Sequence, residues 1–229
     1  MPPATPAEPD LADWDALLSA AARLQALVPG AVLVGGSAAA YFARHRYSAD
    51  ADHVVGDLRE RFDDILADLE QVAGWRTARV RRPVLILGSL DGIETGVRQL
   101  IRDAPLETME VAVGDTRVRV PSEAEILRIK CALVLKRNAV RDYLDVAALS
   151  DRMGAAAAAG ALKTFDTLYP QPDGQSALQQ LAAQLGAPAP YDLDAANLTE
   201  YRNLAERWTR WDAVSAACAG MAAALLDAA

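Results

Sequence analysis

Two aspartates separated by one residue, Asp50 and Asp52, follow a Gly-Gly-Ser sequence, with twelve residues between Ser37 and Asp50. Side chains at positions i and i+2 of a β-strand project from the same face, so we expect these two carboxylates to lie side by side. Two anions 4 Å apart repel each other by about 4 kcal/mol at an effective dielectric constant of 20. Such a pair needs a cation, and proteins hold Mg²⁺ with one or two carboxylates together with substrate phosphates. The pair therefore predicts metal-dependent chemistry on a substrate that carries phosphates.

The Gly-Gly-Ser sequence would supply the phosphate contacts. Residues 31–34 form a short apolar run that predicts a buried strand, and residues 37–43 predict a helix capped by the Ser37 hydroxyl. Backbone N–H groups at the start of a helix bind phosphate groups. We therefore expect a strand, a glycine turn and a helix start to face a second strand over residues 50–55.

The remaining pattern defines the elements that position these residues. Helical periodicity covers residues 11–28 and 58–73, and two hairpins are predicted over residues 84–101 and 108–120, around Asp91-Gly92 and Gly114-Asp115. A capping box at residues 122–125 opens a series of helices over residues 124–136, 140–153, 155–169 and from about 199. The predicted fold class is α/β with an α+β mixed sheet. The predicted domains are a disordered segment 1–10, an α/β domain 11–121 and a helical domain 122–229.

Composition and charge are typical of a globular protein and indicate where a polyanion could bind. The chain has 229 residues, of which 52% are hydrophobic and 24% charged, as in ordinary globular proteins. Cys131 and Cys218 lie in apolar helical patterns and are expected to be small core residues of a cytoplasmic protein without a membrane partner. The net charge is −8, yet residues 71–141 carry 13 basic and 8 acidic side chains between two acidic flanks. A polyanion would dock on this basic segment, unless its arginines are only a solvated surface.

Taken as a set, several segments resemble a known family. They are Gly36-Ser37, Arg46-Tyr47-Ser48-Ala49-Asp50-Ala51-Asp52, Asp91-Gly92-Ile93-Glu94-Thr95-Gly96-Val97-Arg98-Gln99-Leu100, Arg128-Ile129-Lys130 with Arg137, and Arg141-Asp142-Tyr143-Leu144-Asp145. They resemble the AbiEii/AbiGii toxin-type nucleotidyltransferases, which include the MenT-type toxins and belong to the polymerase-β-like nucleotidyltransferase superfamily. The resemblance covers about residues 30–150 and implies a nucleotidyltransferase fold for the N-terminal unit.

The resemblance also implies roles for the residues of the turn and the first carboxylate pair. Gly35, Gly36 and Ser37 would hold the triphosphate of a nucleoside triphosphate (NTP), the expected co-substrate. Asp50 and Asp52 would bind Mg²⁺ or Mn²⁺ and take part in catalysis.

Further site residues are implied downstream. Glu94 is the expected third metal-binding carboxylate, in preference to Asp91. Ser48 would lie at the mouth of the nucleotide site, where related toxins are phosphorylated by their antitoxin. Lys130 would neutralise phosphate charge, and Asp142 or Asp145 would complete the catalytic set.

Simpler interpretations stay open for several of these positions. A lysine on a largely buried helix, as Lys130 is, also needs an anionic partner of its own. Asp142 could form an ion pair at a helix start, and Arg98 could bind the nucleotide or pair with a carboxylate. His45 and His53 have no companion ligands at zinc-like spacing and are expected to be structural or exposed.

The leading hypothesis is a Mg²⁺-dependent nucleotidyltransferase toxin of a toxin–antitoxin system, with the tRNA 3′ end as acceptor and an antitoxin as partner. The possible RNA contacts are Arg76, Arg79, Arg81, Arg82, Arg117 and Arg119. The same site could instead modify a protein or a small molecule, which the acidic overall charge favours. A third hypothesis is a non-catalytic nucleotide-binding module of the same fold.

Overall fold

The computed structural model describes residues 11–228, and their side chains from residue 13 onward. The segment 1–10, predicted to be disordered, lies outside the described residues. The helices are α1 (Leu11–Leu27), α2 (Gly35–Ala43), α3 (Phe62–Glu70), α4 (Glu123–Arg137), α5 (Val140–Met153), α6 (Ala155–Ala161), α7 (Phe165–Leu168), α8 (Ala177–Gly186) and α9 (Trp211–Asp227). The strands are β1 (Val32–Leu33), β2 (Asp50–Val55), β3 (Trp75–Arg81), β4 (Leu85–Leu90), β5 (Ile93–Gln99), β6 (Thr108–Val113) and β7 (Thr116–Pro121). Over residues 11–228, each helix is too short or too polar to cross a lipid bilayer.

These elements form two compact units. The sheet unit contains residues 11–38 and 48–122, and the helical unit contains residues 39–47 and those from 123 onward. The mixed sheet and the helical C-terminal half confirm the predicted fold class. The predicted domains did not anticipate that residues 39–47, which include the second half of α2, group with the helical unit.

The main sheet has five strands in the order β1-β2-β5-β4-β3, and β6 pairs with β7 in a separate two-stranded sheet. Strands β2 and β5 are parallel, whereas the other neighbours are antiparallel. The core face of the main sheet packs against apolar side chains of α1 and α3. Its buried residues include Val55, Ile86, Leu90, Val97 and Trp75, which cluster with Leu24, Val28, Phe62, Ile65 and Leu69.

The opposite face of this sheet, here called the open face, is polar over β2 and β5. Burial along β2 alternates, with Ala51, His53 and Val55 buried and Asp50 exposed. Register pairs Asp50 with Glu94 and Asp52 with Gly96, and residues paired in this way share a face. The hydrophobic core therefore fixes which side chains of β2 and β5 reach the surface, since a slip of one residue would exchange the two faces.

The helical unit buries ten of the 14 residues of α5 and seven of the 15 residues of α4. Cys131 and Cys218 are buried and unbridged, which confirms their prediction as core residues. The prediction of a long final helix from about residue 199 was wrong. Short 3₁₀ turns at Leu198–Glu200 and Glu206–Trp208 precede α9, and the Asn197 side chain accepts a hydrogen bond from the Thr199 N–H at the first of them.

Candidate functional site

Asp50 and Asp52 lie on the open face at the start of β2, as their spacing predicts. The Asp50 Oδ1 atom accepts a hydrogen bond of 2.8 Å from the hydroxyl of Ser48, which is 6% exposed. Asp52 Oδ1 lies 3.6 Å from a terminal nitrogen of Arg98, whose guanidinium is partly exposed. Each aspartate therefore has a polar side-chain neighbour on the open face, a hydroxyl beside Asp50 and a guanidinium beside Asp52.

Glu94 is the neighbour of Asp50 on the parallel strand β5. Its side chain is exposed on the same face, as expected for a third acidic residue of the site. Over residues 11–228, however, no three acidic, histidine or cysteine side chains converge closely enough to hold a metal ion together. The donor chemistry still fits Mg²⁺ or Mn²⁺, because these hard cations prefer oxygen and can be bound by one or two carboxylates plus substrate phosphates.

Gly35 places the start of α2 against Asp52. Its φ of +76° lies in the left-handed region, and a Cβ atom built on it would come 3.5 Å from the Asp52 Cβ atom. Only glycine adopts this conformation without strain. The N–H groups of the first turn of α2, which have no acceptor within the helix, are therefore beside a carboxylate of the open face, where a metal-bound triphosphate would need donors.

Ser37 has a different role from the one predicted. Helix α2 begins at Gly35, two residues earlier than expected, so the prediction that the Ser37 hydroxyl caps the helix was wrong. The hydroxyl is fully buried and donates a hydrogen bond of 2.5 Å to the backbone carbonyl of Asp50. Its only proton is thus used to tie α2 to β2, and any contact of Ser37 with a phosphate would have to come from its backbone N–H.

Lys130 and Asp145 belong to a buried ion cluster in the helical unit, defined by His45, Arg46, Lys130, Asp142 and Asp145. Lys130 Nζ lies 2.6 Å from Asp145 Oδ2, and His45 Nε2 lies 2.7 Å from Asp145 Oδ1. Arg46 donates to both oxygens of the same carboxylate, at 2.9 and 3.2 Å. One carboxylate therefore joins α4, α5 and residues 45–46 of the chain.

The charges around Asp145 set its protonation. Burial alone would raise the pKa of its carboxyl group, but Arg46, Lys130 and His45 outweigh burial and hold the pKa well below its usual value. Burial lowers the pKa of His45 despite its bond to Asp145, so the ring is neutral near pH 7 and donates from Nε2. Asp145 is consequently an anion near neutral pH at the centre of the cluster.

Asp142 is the member of this cluster whose buried carboxylate is poorly compensated by its neighbours. Its side chain is fully buried, neither carboxylate oxygen has a hydrogen-bond partner, and Lys130 Nζ is 3.7 Å away. Burial raises the pKa of its carboxyl group, and the nearby Lys130 only partly opposes this effect. Lys130 and Asp142 were predicted as catalytic residues, but the structure gives Lys130 a partner in Asp145 and leaves it 3% exposed.

The contacts of Arg46 and His45 with Asp145 were not predicted, although a structural role was one of the two alternatives given for His45. Arg46 was noted only as part of a motif, and His45 was expected to be structural or exposed. Both are joined to Asp145, and His45 is 1% exposed. A histidine and an arginine directly before the buried Tyr47 were the available signal, because polar and charged groups beside a core residue need partners. His53 is also buried, on the core face, and its burial lowers its pKa to about 4.

The six arginines predicted to contact RNA do not form one set. Arg76, Arg79 and Arg81 lie on β3, the exposed edge strand of the main sheet. Arg82 follows that strand, forms an ion pair with Asp63 and stacks over the Phe62 ring with its guanidinium carbon 5.2 Å from the centroid. The remaining two, Arg117 and Arg119, lie on β7 of the second sheet, 3.4 and 3.9 Å from Glu110 oxygens.

Two cavities of about 580 and 800 Å³ open elsewhere on the sheet unit. Arg119 lines both of them, and the larger is formed between α1 and the β6–β7 hairpin. Asp50, Asp52 and Glu94 line neither cavity. The candidate site is therefore carried by the carboxylates of the open face rather than by these cavities.

Comparison with known proteins supports the fold and does not assign a family to the chain. No protein-family model matches the chain. The heme uptake protein MmpL11 of Mycobacterium tuberculosis is 35% identical over 130 residues, which are 55% of this chain and 13% of that protein. The mycolic acid-containing lipids exporter MmpL11 of Mycolicibacterium smegmatis is 32% identical over a segment of the same length. The chain thus spans only 13% of the length of these curated relatives, and the transport functions in their names refer to the whole proteins.

Two solved structures resemble the chain over nearly its whole length. JHP933 from Helicobacter pylori has a TM-score of 0.54 at 14% identity, covering 96% of this chain and 94% of that one. An H. pylori protein proposed to be a nucleotidyltransferase has a TM-score of 0.51 at 15% identity, covering 96% and 97%. At these identities the likeness concerns the fold alone. The chain described here therefore has a nucleotidyltransferase fold, with Asp50, Asp52 and Glu94 on the open face of its sheet.

Proposed function

We propose that this chain is a metal-dependent nucleotidyltransferase. The observation that carries the proposal is the placement of Asp50, Asp52 and Glu94 on one face of the parallel pair β2 and β5, beside the first turn of α2. This arrangement combines oxygen ligands for a divalent cation with backbone donors for phosphate. Asp50 and Asp52 would hold Mg²⁺ or Mn²⁺, which would neutralise phosphate charge and polarise the reacting phosphoryl group.

In the reaction, the acceptor hydroxyl oxygen forms a bond to the α-phosphorus of an NTP, the bond to the bridging oxygen breaks, and pyrophosphate leaves. The backbone N–H groups of Gly35 and Gly36 would orient the triphosphate. Glu94, exposed next to Asp50, is the candidate to receive the proton of the hydroxyl. Arg98 would contact the nucleotide once a cation replaces it at Asp52, and Ser48 would keep the Asp50 carboxylate oriented.

A direct catalytic role has less structural support for Lys130 and Asp142 than for the carboxylates of the sheet. For Lys130 to bind phosphate it would have to give up its 2.6 Å contact with Asp145. Their burial supports a role in positioning α4 and α5, and a kinetic test of Lys130→Met at saturating NTP would separate this role from phosphate binding.

We further propose, from the resemblance to the AbiEii/AbiGii family, that the chain is the cytoplasmic toxin of a toxin–antitoxin pair and that its acceptor is the 3′ end of tRNA. The test is incubation with Mg²⁺, each labelled NTP in turn and total tRNA. Label in RNA is the expected result. Label in protein or in small products would move the acceptor to those classes, and NTP binding without any transfer would indicate a non-catalytic module.

A further inference from the structure

The same face of the sheet continues beyond the carboxylates over β4, where Ser89 and Leu87 are partly exposed and Leu85 is buried, to the edge strand β3. Register across β2, β5, β4 and β3 defines three rows of residues on this face. The rows are Asp50–Glu94–Ser89–Arg76, Asp52–Gly96–Leu87–Arg79 and Val54–Arg98–Leu85–Arg81. Each of the two rows that begins with an aspartate of the candidate site thus ends at an arginine.

A β-bulge produces this alignment. The pairing of β3 with β4 shifts by one residue between Thr77 and Arg79, so Ala78 is an extra residue in β3. In an unbroken strand Arg76 would share a face with Ala78 and Val80, and Arg79 would point to the opposite side. The extra residue reverses the alternation, which brings Arg79 and Arg81 to the face of Arg76 and turns Val80 towards the core face.

The three arginines on β3 are available to a ligand. All three are exposed, and within residues 11–228 none of them forms an ion pair or a side-chain hydrogen bond. By contrast, Arg82 is engaged by Asp63, and Arg117 and Arg119 lie near Glu110. Unpaired guanidinium groups bind phosphate oxygens with a planar pair of donors, so an arginine row on one face is suited to a chain of phosphates.

Spacing indicates the kind of substrate. Three strand-to-strand steps of about 4.8 Å place β3 about 14 Å from β2. A small acceptor held at Asp50 and Asp52 would not extend far enough to contact arginines about 14 Å away. An RNA strand whose end reaches the carboxylates would carry further phosphates over β4 to the arginines of β3. We propose that Arg76, Arg79 and Arg81 form a phosphate track that guides an RNA acceptor over β4 to the carboxylates. This inference rests on the proposed function and specifies the surface that would bind its RNA acceptor.

The test compares two matched double variants, R79Q/R81Q on β3 and R117Q/R119Q on β7. Both remove two exposed arginines at i and i+2 of one strand, and equal urea midpoints confirm that both fold. Binding of labelled tRNA is measured without NTP over a series of salt concentrations. We expect R79Q/R81Q to weaken binding about tenfold or more and to reduce the salt slope by roughly 1.4 to 1.8, while R117Q/R119Q stays near the wild type.

Equal losses in both variants, unchanged binding by R79Q/R81Q, or no binding of tRNA by the wild type would each overturn the track. Because binding is measured without NTP, its outcome does not depend on turnover. If the wild type binds tRNA through β3 but transfers no label, the proposed function fails and the track stands. If label transfer to RNA is normal in R79Q/R81Q, the track fails and the proposed function stands.

Discussion

Two groups of acidic residues in this chain look alike in the sequence and differ in their surroundings. Asp50, Asp52 and Glu94 lie on an open sheet face, where Asp50 accepts a hydrogen bond from the Ser48 hydroxyl and Asp52 lies near the partly exposed guanidinium of Arg98. Asp142 and Asp145 are fully buried among Lys130, Arg46 and His45. A carboxylate in the first setting can exchange its partners for a metal ion, whereas in the second setting its charge is already committed to holding helices together. Burial and partners, more than residue type, distinguish the two roles.

The largest effect is expected at the buried group. Asp145→Asn should destabilise the protein by about 3–5 kcal/mol, because it leaves Lys130 and Arg46 buried without their anion. Urea unfolding at pH 7 measures the change, and Asp151→Asn, which alters a more exposed pair with Arg207, is the control and should cost less than about 1 kcal/mol. If Asp145→Asn were as stable as the wild type, the cluster would not be what holds the helices together.

The same cluster predicts a pH dependence. Since the pKa of Asp145 is lowered in the folded state, its stabilisation is present above the pKa of the unfolded chain and is lost as the pH falls through the folded value. The acid limb of the stability curve should therefore be shallower in Asp145→Asn than in the wild type, as measured by thermal unfolding over a pH series.

At the open face the expected loss is in activity rather than stability. Asp52→Asn should reduce label transfer by about a hundredfold or more, because a metal-binding charge is removed, and should leave the unfolding free energy within about 0.5 kcal/mol. Asp68→Asn, an exposed aspartate on α3, is the matched control. Transfer by Asp52→Asn at the wild-type rate would remove the open face from the catalytic site.

A smaller effect is expected from alanine substitutions at two glycines with positive φ, of which only one lies beside the candidate site. Their comparison distinguishes a loss of stability caused by backbone strain from a loss of NTP binding caused by a changed site. Gly35→Ala and Gly92→Ala both place an alanine at positive φ, +76° and +85°, so each should cost about 1–2 kcal/mol of stability. Only Gly35 lies against Asp52, whereas a Cβ atom at Gly92 meets nothing within 4 Å. We therefore expect Gly35→Ala alone to weaken NTP binding, measured by titration with a labelled nucleotide, and equal weakening in both would argue against a local role for Gly35.

The smallest effect is expected at Asp142. Its raised pKa means that the folded state disfavours its charge, so this penalty develops as the pH rises from the unfolded value through the folded one. At pH 7 the free energy of unfolding of Asp142→Asn should consequently equal that of the wild type or exceed it by up to about 1 kcal/mol. At low pH, measured by urea unfolding in the same way, the variant should show no gain in stability. A loss comparable to that of Asp145→Asn would instead place Asp142 among the essential partners of Lys130.

Sequence reasoning succeeded where a local rule decided the structure. The i, i+2 spacing of Asp50 and Asp52 and the apolar alternation of β2 were sufficient to place both carboxylates on one face. The need of Lys130 for an anionic partner was also foreseen, since its helix is apolar around most of its circumference. These predictions depend only on neighbours in the chain.

Non-local pairing was harder to predict. The position of Glu94 beside Asp50 depends on a parallel pairing with no sequence signature of its own, although its place after the Asp91-Gly92 turn suggested it. Nothing in the residues around Ala78 indicates a bulge, so the sequence pattern did not predict that Arg76, Arg79 and Arg81 share a face. Ser37 was assigned to a cap because a hydroxyl at a helix start has two possible partners, and the deciding one is the Asp50 carbonyl on another strand.

The parallel pairing of β2 with β5 also has a consequence for folding kinetics. It joins residues far apart in the chain, as in the 2.6 Å bond from the Thr95 hydroxyl to the Ala51 carbonyl across 44 positions, with α3, β3 and β4 in between. Closing such a loop is entropically costly, so contacts of this kind form late. A chain emerging from the ribosome would carry Asp50 and Asp52 well before Glu94 arrives beside them. In refolding experiments, binding of a metal–nucleotide complex should therefore lag behind helix formation and report the completion of the sheet.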